Sequence, residues 1–152
     1  MWSAPGEVSR LVLPRIVAEA IEGEARAALP RECCGLLVGT AAGGEASAVR
    51  AVPSRNLADD PATRFEIDPA LRLAAQREAR EAGLLVLGHY HSHPAGPARP
   101  SARDLAGALE GGLVWLILGL EGGRASFAAF QARRDRREPS LAPLSLLAAE
   151  RP

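Results

Sequence analysis

The chain has 152 residues, 47% hydrophobic and 24% charged, which suits one globular domain with a core of its own. Its 18 basic residues balance 18 acidic ones, so no overall field favours nucleic acid or an anionic membrane as partner. Every basic residue is arginine, which excludes lysine Schiff-base and P-loop chemistry.

Arg10 to Leu13 reads as a short strand. Pro14 then suits the first position of a helix, where its missing N–H costs nothing. Apolar residues at Ile16, Val17, Ala20, Ile21, Ala25 and Ala28 recur at helical spacing, and Pro30 ends the run. Cys33 to Thr40 reads as a buried strand, and Gly43-Gly44 as a turn into the strand Glu45 to Val52. Pro53 to Thr63 is a loop, followed by a possible short strand over Arg64 to Ile67. Asp68 caps a helix that starts at Pro69 and closes at Gly83. Leu84 to His91 is apolar at first, like a strand covered on both faces. Pro94 to Pro100 is a loop and Ser101 to Glu110 a short helix. Leu113 to Gly119 and Arg124 to Gln131 form a hairpin about Glu121-Gly122-Gly123. Arg133 to Glu138 is a charged surface segment, and Pro139 to Pro152 is a weakly patterned tail. The pattern predicts a single α/β domain, 1–152, with a mixed, curved central sheet flanked by helices. Its core spans about 10–131, and 132–152 is the tail.

Met1 to Arg10 has no apolar core of signal-peptide length. The longest apolar run, Leu113 to Leu120, falls short of the roughly 18 residues that cross a bilayer. Cys33 and Cys34 are adjacent, a strained arrangement for a mutual disulfide, which suits a reducing compartment. The expectation is a cytoplasmic protein without nucleic-acid or membrane partners.

All three histidines lie between positions 89 and 93, in His89-Tyr90-His91-Ser92-His93-Pro94. In a strand, side chains two apart share a face, so two imidazoles can grip one ion. Asp104 lies eleven residues beyond His93. It is a third ligand of a type zinc accepts, and three ligands with one open position make a catalytic zinc. Read alone, Ser101-Ala102-Arg103-Asp104 is also a capping box that needs no metal. A water-activating site needs a base, and Glu32, at the entrance to the Cys33 strand, is the candidate; a surface glutamate is the plain alternative. Cys33 and Cys34 read as small hydrophobes.

Together, Glu32, His91-Ser92-His93-Pro94 and Ser101-Ala102-Arg103-Asp104 resemble the JAMM (also called MPN+) family of zinc metallopeptidases. Glu32-Cys33-Cys34-Gly35-Leu36-Leu37-Val38-Gly39 looks like that family's first core strand. Asn56 and Arg64-Phe65-Glu66-Ile67-Asp68-Pro69 look like its compact bacterial branch. The resemblance covers roughly residues 10 to 131 and implies a cytidine-deaminase-like architecture. It implies that His91, His93 and Asp104 bind one Zn²⁺ with a water in the fourth position. Glu32 is then the general base and proton shuttle, and Ser101 donates to the oxyanion. His89 lies outside the ligand pattern, and Ser92 points away by strand alternation.

The resemblance further implies cleavage of a peptide or isopeptide bond at the C-terminal Gly-Gly end of a ubiquitin-like or sulfur-carrier protein. The Asn56 to Phe65 loop is the place for the partner's tail, laid alongside a strand. A homodimer is allowed for. The competing class is a non-catalytic, zinc-retaining MPN interaction module, against which Glu32 and Ser101 speak. Nucleoside deamination is excluded, since neither His-x-Glu nor Pro-Cys-x-x-Cys occurs.

Overall fold

The apolar runs become strands that close on one another. The computed structural model describes residues 4–133 and 138–150. In chain order it runs β1 (Arg10–Pro14), α1 (Arg15–Ala28), β2 (Cys34–Ala42), β3 (Glu45–Ser54) and α2 (Pro69–Glu81). Then follow β4 (Leu85–His93), α3 (Ala102–Gly107), β5 (Val114–Glu121), β6 (Arg124–Arg133) and β7 (Ser140–Ala149). The strands form a closed barrel in the order β1-β3-β2-β4-β5-β6-β7. Pairing is mixed: β1 runs parallel to β3 and to β7, and β4 parallel to β5. The remaining neighbours are antiparallel.

A mixed sheet with flanking helices in one α/β domain is as expected, but the curved central sheet closes into a barrel. The cause is the segment read as a tail. Ser140–Ala149 pairs with β6 on one side and β1 on the other. Of its side chains only Leu144 is buried, so hardly any apolar alternation marks it; backbone pairing on both edges holds it in place. The charged run Arg133 to Glu138 lies mostly outside the described residues.

Other boundaries move for local reasons. Pro14 ends β1 and caps α1 instead of opening it. Arg64 to Ile67 is not a strand; its one ladder contact is the isolated bridge of Ile67 with Asn56. Helix α3 stops at Gly107, a residue of low helix propensity, short of Glu110. Asp68 caps α2 as read, its carboxylate accepting the Ala70 N–H at 2.9 Å.

The core explains why β2 and the first half of β4 are apolar. On one side Leu37, Leu87 and Tyr90 pack with Val17, Ile21 and Ala25 of α1, one stripe at i, i+4, i+8. On the other, Leu36, Val38 and Val86 meet Ala75 and Ala79 of α2. Both faces of these strands are thus covered. Gly88 opposes Val114, and a Cβ there would run into the Val114 backbone. Glycine lets β4 close on β5 at this point, which fixes where the end of β4 emerges.

One buried polar side chain ties the barrel's lower end. Gln131 accepts the Val8 N–H at 3.0 Å and donates to the carbonyls of Gly6 at 3.0 Å and Gly112 at 3.1 Å. Replacing it by leucine leaves the buried Val8 N–H without that partner. Gln131→Leu should lower unfolding stability by about 1–3 kcal/mol, read as a lower urea midpoint. An unchanged midpoint would show that the glutamine contributes nothing.

Candidate active site

Strand β4 ends at the two histidines. His91 and His93 lie on one face, and their Nε2 atoms are 3.1 Å apart. Each Nε2 stands 3.2 Å from Oδ2 of Asp104, so three atoms surround one point. Asp104 is brought there by α3. Ser101 Oγ accepts the Asp104 N–H at 3.0 Å, and the Ser101 N–H donates to Asp104 Oδ2 at 2.9 Å. The capping box and the ligand cluster therefore coexist, and the same carboxylate oxygen serves both.

Second contacts fix the rings. His93 Nδ1 lies 2.9 Å from the Pro97 carbonyl, so it carries the proton and Nε2 offers its lone pair to the cluster. Phe65 stacks on His91 at 4.2 Å with 15° between planes, and Trp115 meets it edge-on at 5.9 Å. His91 Nδ1 is buried with no hydrogen-bond partner among the described residues.

Electrostatics follow from burial and these contacts. For Asp104, burial opposes ionisation, but the bonds from His91 and His93 outweigh it and hold the carboxyl well below the usual range. Burial lowers His91, against the pull of Asp104. For His93 burial acts downward too, yet the bonds to Asp104 and the Pro97 carbonyl outweigh it and raise the pKa.

This donor set suits a metal ion. The ligand atoms of His91, His93 and Asp104 all lie within 4.8 Å of one another. Tetrahedral bonds of 2.0–2.1 Å place neighbouring ligand atoms about 3.3–3.4 Å apart. The observed edges of 3.1–3.2 Å are close to that. A cation between them also relieves three lone pairs aimed at one buried point.

Glu32 sits beside this cluster, between α1 and β2, and is only 7% exposed. Its N–H donates to the Pro61 carbonyl at 2.8 Å, and its carbonyl accepts Asn56 Nδ2 at 3.1 Å. The next residue, Cys33, donates its N–H to Ser92 Oγ at 2.8 Å. Ser92 is fully buried and so joins the histidine strand to the segment carrying Glu32. Burial pushes the Glu32 carboxyl up to about 7; His93 and Arg103 pull it down and Asp104 pushes it up. A carboxyl poised near neutrality is equipped to take and return a proton.

The remaining candidates fall into place. Cys33 and Cys34 are free and buried, and burial pushes their thiols up to about 11 and about 12, so they are inert and neutral. His89 lies on the same face as His91 but outside the cluster, edge-on to Trp115 at 4.4 Å. Burial lowers its pKa to about 3, which keeps it neutral. A cavity of about 740 Å³ borders Asp104, with Phe65, His89, Leu113 and Trp115 among its walls and Arg103 at its edge.

Sequence reasoning did not single out Phe65 or Trp115 as supports of His91. The available signal was an aromatic residue at the end of a polar loop and another in an apolar strand, neither distinctive. Arg103 fills an unspecified position of Ser101-x-x-Asp104; its Nη1 donates to Thr63 Oγ1 at 2.8 Å, bracing the loop against α3.

Comparison with known proteins agrees with this geometry. The family described as prokaryotic homologs of the JAB domain matches residues 14–134. A protein of Thermus thermophilus described as a probable TtuB-protein conjugate cleaving protease is 38% identical over 123 residues, 80% of this chain and 79% of that one. A desampylase of Haloferax volcanii is 34% identical over 119 residues, 75% of this chain and 84% of that one. The solution structure of a protein from Desulfitobacterium hafniense superimposes with a TM-score of 0.81 at 35% identity, covering 92% of this chain and 93% of that one. The family match spans β2, β4 and α3, and with them Glu32, His91, His93, Ser101 and Asp104. The chain belongs to the prokaryotic JAB-domain family, the JAMM type.

Proposed function

We propose that the chain is a zinc-dependent peptidase that hydrolyses a peptide or isopeptide bond after the C-terminal Gly-Gly of a ubiquitin-like or sulfur-carrier protein. The observation that carries the reading is the convergence of His91, His93 and Asp104 on one point, with buried Glu32 beside it. The named activities of the Thermus and Haloferax relatives support the substrate class.

His91 Nε2, His93 Nε2 and Asp104 Oδ2 would hold the ion. When bound, zinc acts as a Lewis acid, lowering the pKa of coordinated water from 15.7 towards about 7. Glu32 takes a proton from the attacking water and later hands it to the departing amine. Burial lifts its carboxyl towards neutrality, which makes both transfers feasible. Ser101 Oγ already accepts the Asp104 N–H, so its own proton is left to donate to the carbonyl oxygen as charge develops. The tail of the carrier lies along the Asn56–Phe65 loop, where the cavity beside Asp104 opens. A structural zinc would need neither Glu32 nor Ser101, which favours the enzyme over the interaction module. The work is cytoplasmic in this reading.

Glu32→Gln should retain about one zinc per chain while cleavage of a carrier extended beyond Gly-Gly falls by about 10²- to 10⁴-fold. Mass spectrometry of the carrier reads this directly, and normal cleavage by the variant removes Glu32 from the role of base. Zinc affinity should fall as pH is lowered through the ordinary imidazole range near about 6.5, starting above it, because His93 holds its proton more tightly than a free imidazole and the ion must displace it. Equilibrium dialysis measures this, and a flat affinity across that range would contradict the ligand assignment.

A further inference from the structure

Glu32 is held in position largely by a residue that touches none of the cluster. Asn56 follows β3, and its side chain makes five hydrogen bonds. Nδ2 donates to the carbonyls of Glu32 at 3.1 Å, Arg64 at 2.9 Å and, more loosely, Pro61 at 3.4 Å. Oδ1 accepts the N–H groups of Ala58 and Glu66, both at 3.1 Å. The loop from 57 to 66 is thereby folded around one amide. The same loop reaches back to the Glu32 N–H through the Pro61 carbonyl at 2.8 Å. Both polar backbone groups of Glu32 are thus engaged by Asn56 or by the loop Asn56 organises.

The far end of this loop also reaches the cluster. Phe65 lies against the His91 ring at 4.2 Å, and Leu57 N–H to Glu66 carbonyl, 2.9 Å, closes the loop's base. One side chain therefore sets two distances at once: where the Glu32 peptide stands and where the Phe65 wall stands. A general base is sensitive to such placement, since a shift of about 1 Å caused by a remote change can cost about 100-fold in rate.

From this geometry we infer that Asn56 is a positioning residue for Glu32, acting on the chemical step through the Glu32 peptide. The inference rests on the reading of Glu32 as the base. Amide chemistry is required here: the carbonyls of Glu32 and Arg64 take its two N–H donors and two backbone N–H groups need its acceptor, and only Asn offers both at this reach. Aspartate keeps the acceptor but faces three carbonyls with negative charge.

The test is steady-state and single-turnover cleavage of a carrier extended beyond Gly-Gly by zinc-loaded protein. Asn56→Ala and Asn56→Asp should each lower kcat by about 10- to 100-fold, with zinc content unchanged. Glu19→Ala is the control. It removes an exposed hydrogen bond on α1, from Arg15 Nε to Glu19 Oε1 at 2.9 Å, and leaves the loop and the Glu32 contacts intact; its kcat should match wild type. In a Glu32→Gln background, Asn56→Ala should add no further loss. Wild-type kcat in folded, zinc-loaded Asn56→Ala overturns the inference, as does a loss confined to KM or an equal loss in Glu19→Ala. If Asn56→Ala does not fold, Asn56→Asp decides by the same criteria. A fully active Glu32→Gln would instead overturn the assignment of the base, a result separate from these.

Discussion

A single oxygen, Oδ2 of Asp104, is the joint on which the site depends. It accepts the Ser101 N–H at 2.9 Å and stands 3.2 Å from the Nε2 atoms of both His91 and His93. A carboxylate that is 7% exposed is costly unless its charge is met. Here it is met from two directions, by the start of a helix and by the end of a strand. The position of α3 against β4 is therefore not independent of the cluster's geometry. Loosening the cap at Ser101 disturbs the ligand set, and removing the histidines strands the carboxylate.

The barrel supplies the rest of the rigidity. Strand β4 is covered on both faces and runs beside β5 in parallel register, with His91 opposite Ile117. Gly88 allows the close approach, and Ser92 ties the histidine strand to Cys33. His91 and His93 thus emerge from a strand that has little freedom to shift. Glu32 is different. It precedes β2, and its peptide is held by Asn56 and Pro61 from the following loop. His91 and His93 are placed by the sheet and Asp104 by α3, while the Glu32 peptide is held by a loop.

Much of this was legible in the residues. The apolar runs in β2, β4 and β5 marked strands, that of β4 as one covered on both faces, and Asp68-Pro69 marked a helix start. The His-x-His spacing and Ser101-x-x-Asp104 marked a cluster, because both patterns state local geometry. Barrel closure was not legible, since Ser140–Ala149 is held by backbone pairing that leaves little trace in side-chain pattern. Nor was the sharing of Asp104 Oδ2 between cap and cluster, since Ser101-x-x-Asp104 does not say which oxygen faces the histidines. Asn56 could be noticed as part of a family pattern, but its five hydrogen bonds depend on a loop path that spacing does not encode. Phe65 and Trp115 escaped for a similar reason: aromatic residues at such places usually serve packing alone.

The claim most open to direct test is that two imidazoles and one carboxylate hold the ion. X-ray absorption at the zinc edge, on protein loaded with one equivalent of zinc, reads the ligand atoms. The account predicts a shell of nitrogen and oxygen neighbours at about 2.0–2.1 Å with two imidazole signatures and no sulfur. One of those two imidazole signatures should be lost in His91→Ala. A sulfur neighbour at about 2.3 Å would move the metal to Cys33 or Cys34, and a protein that takes up no zinc would contradict the account altogether.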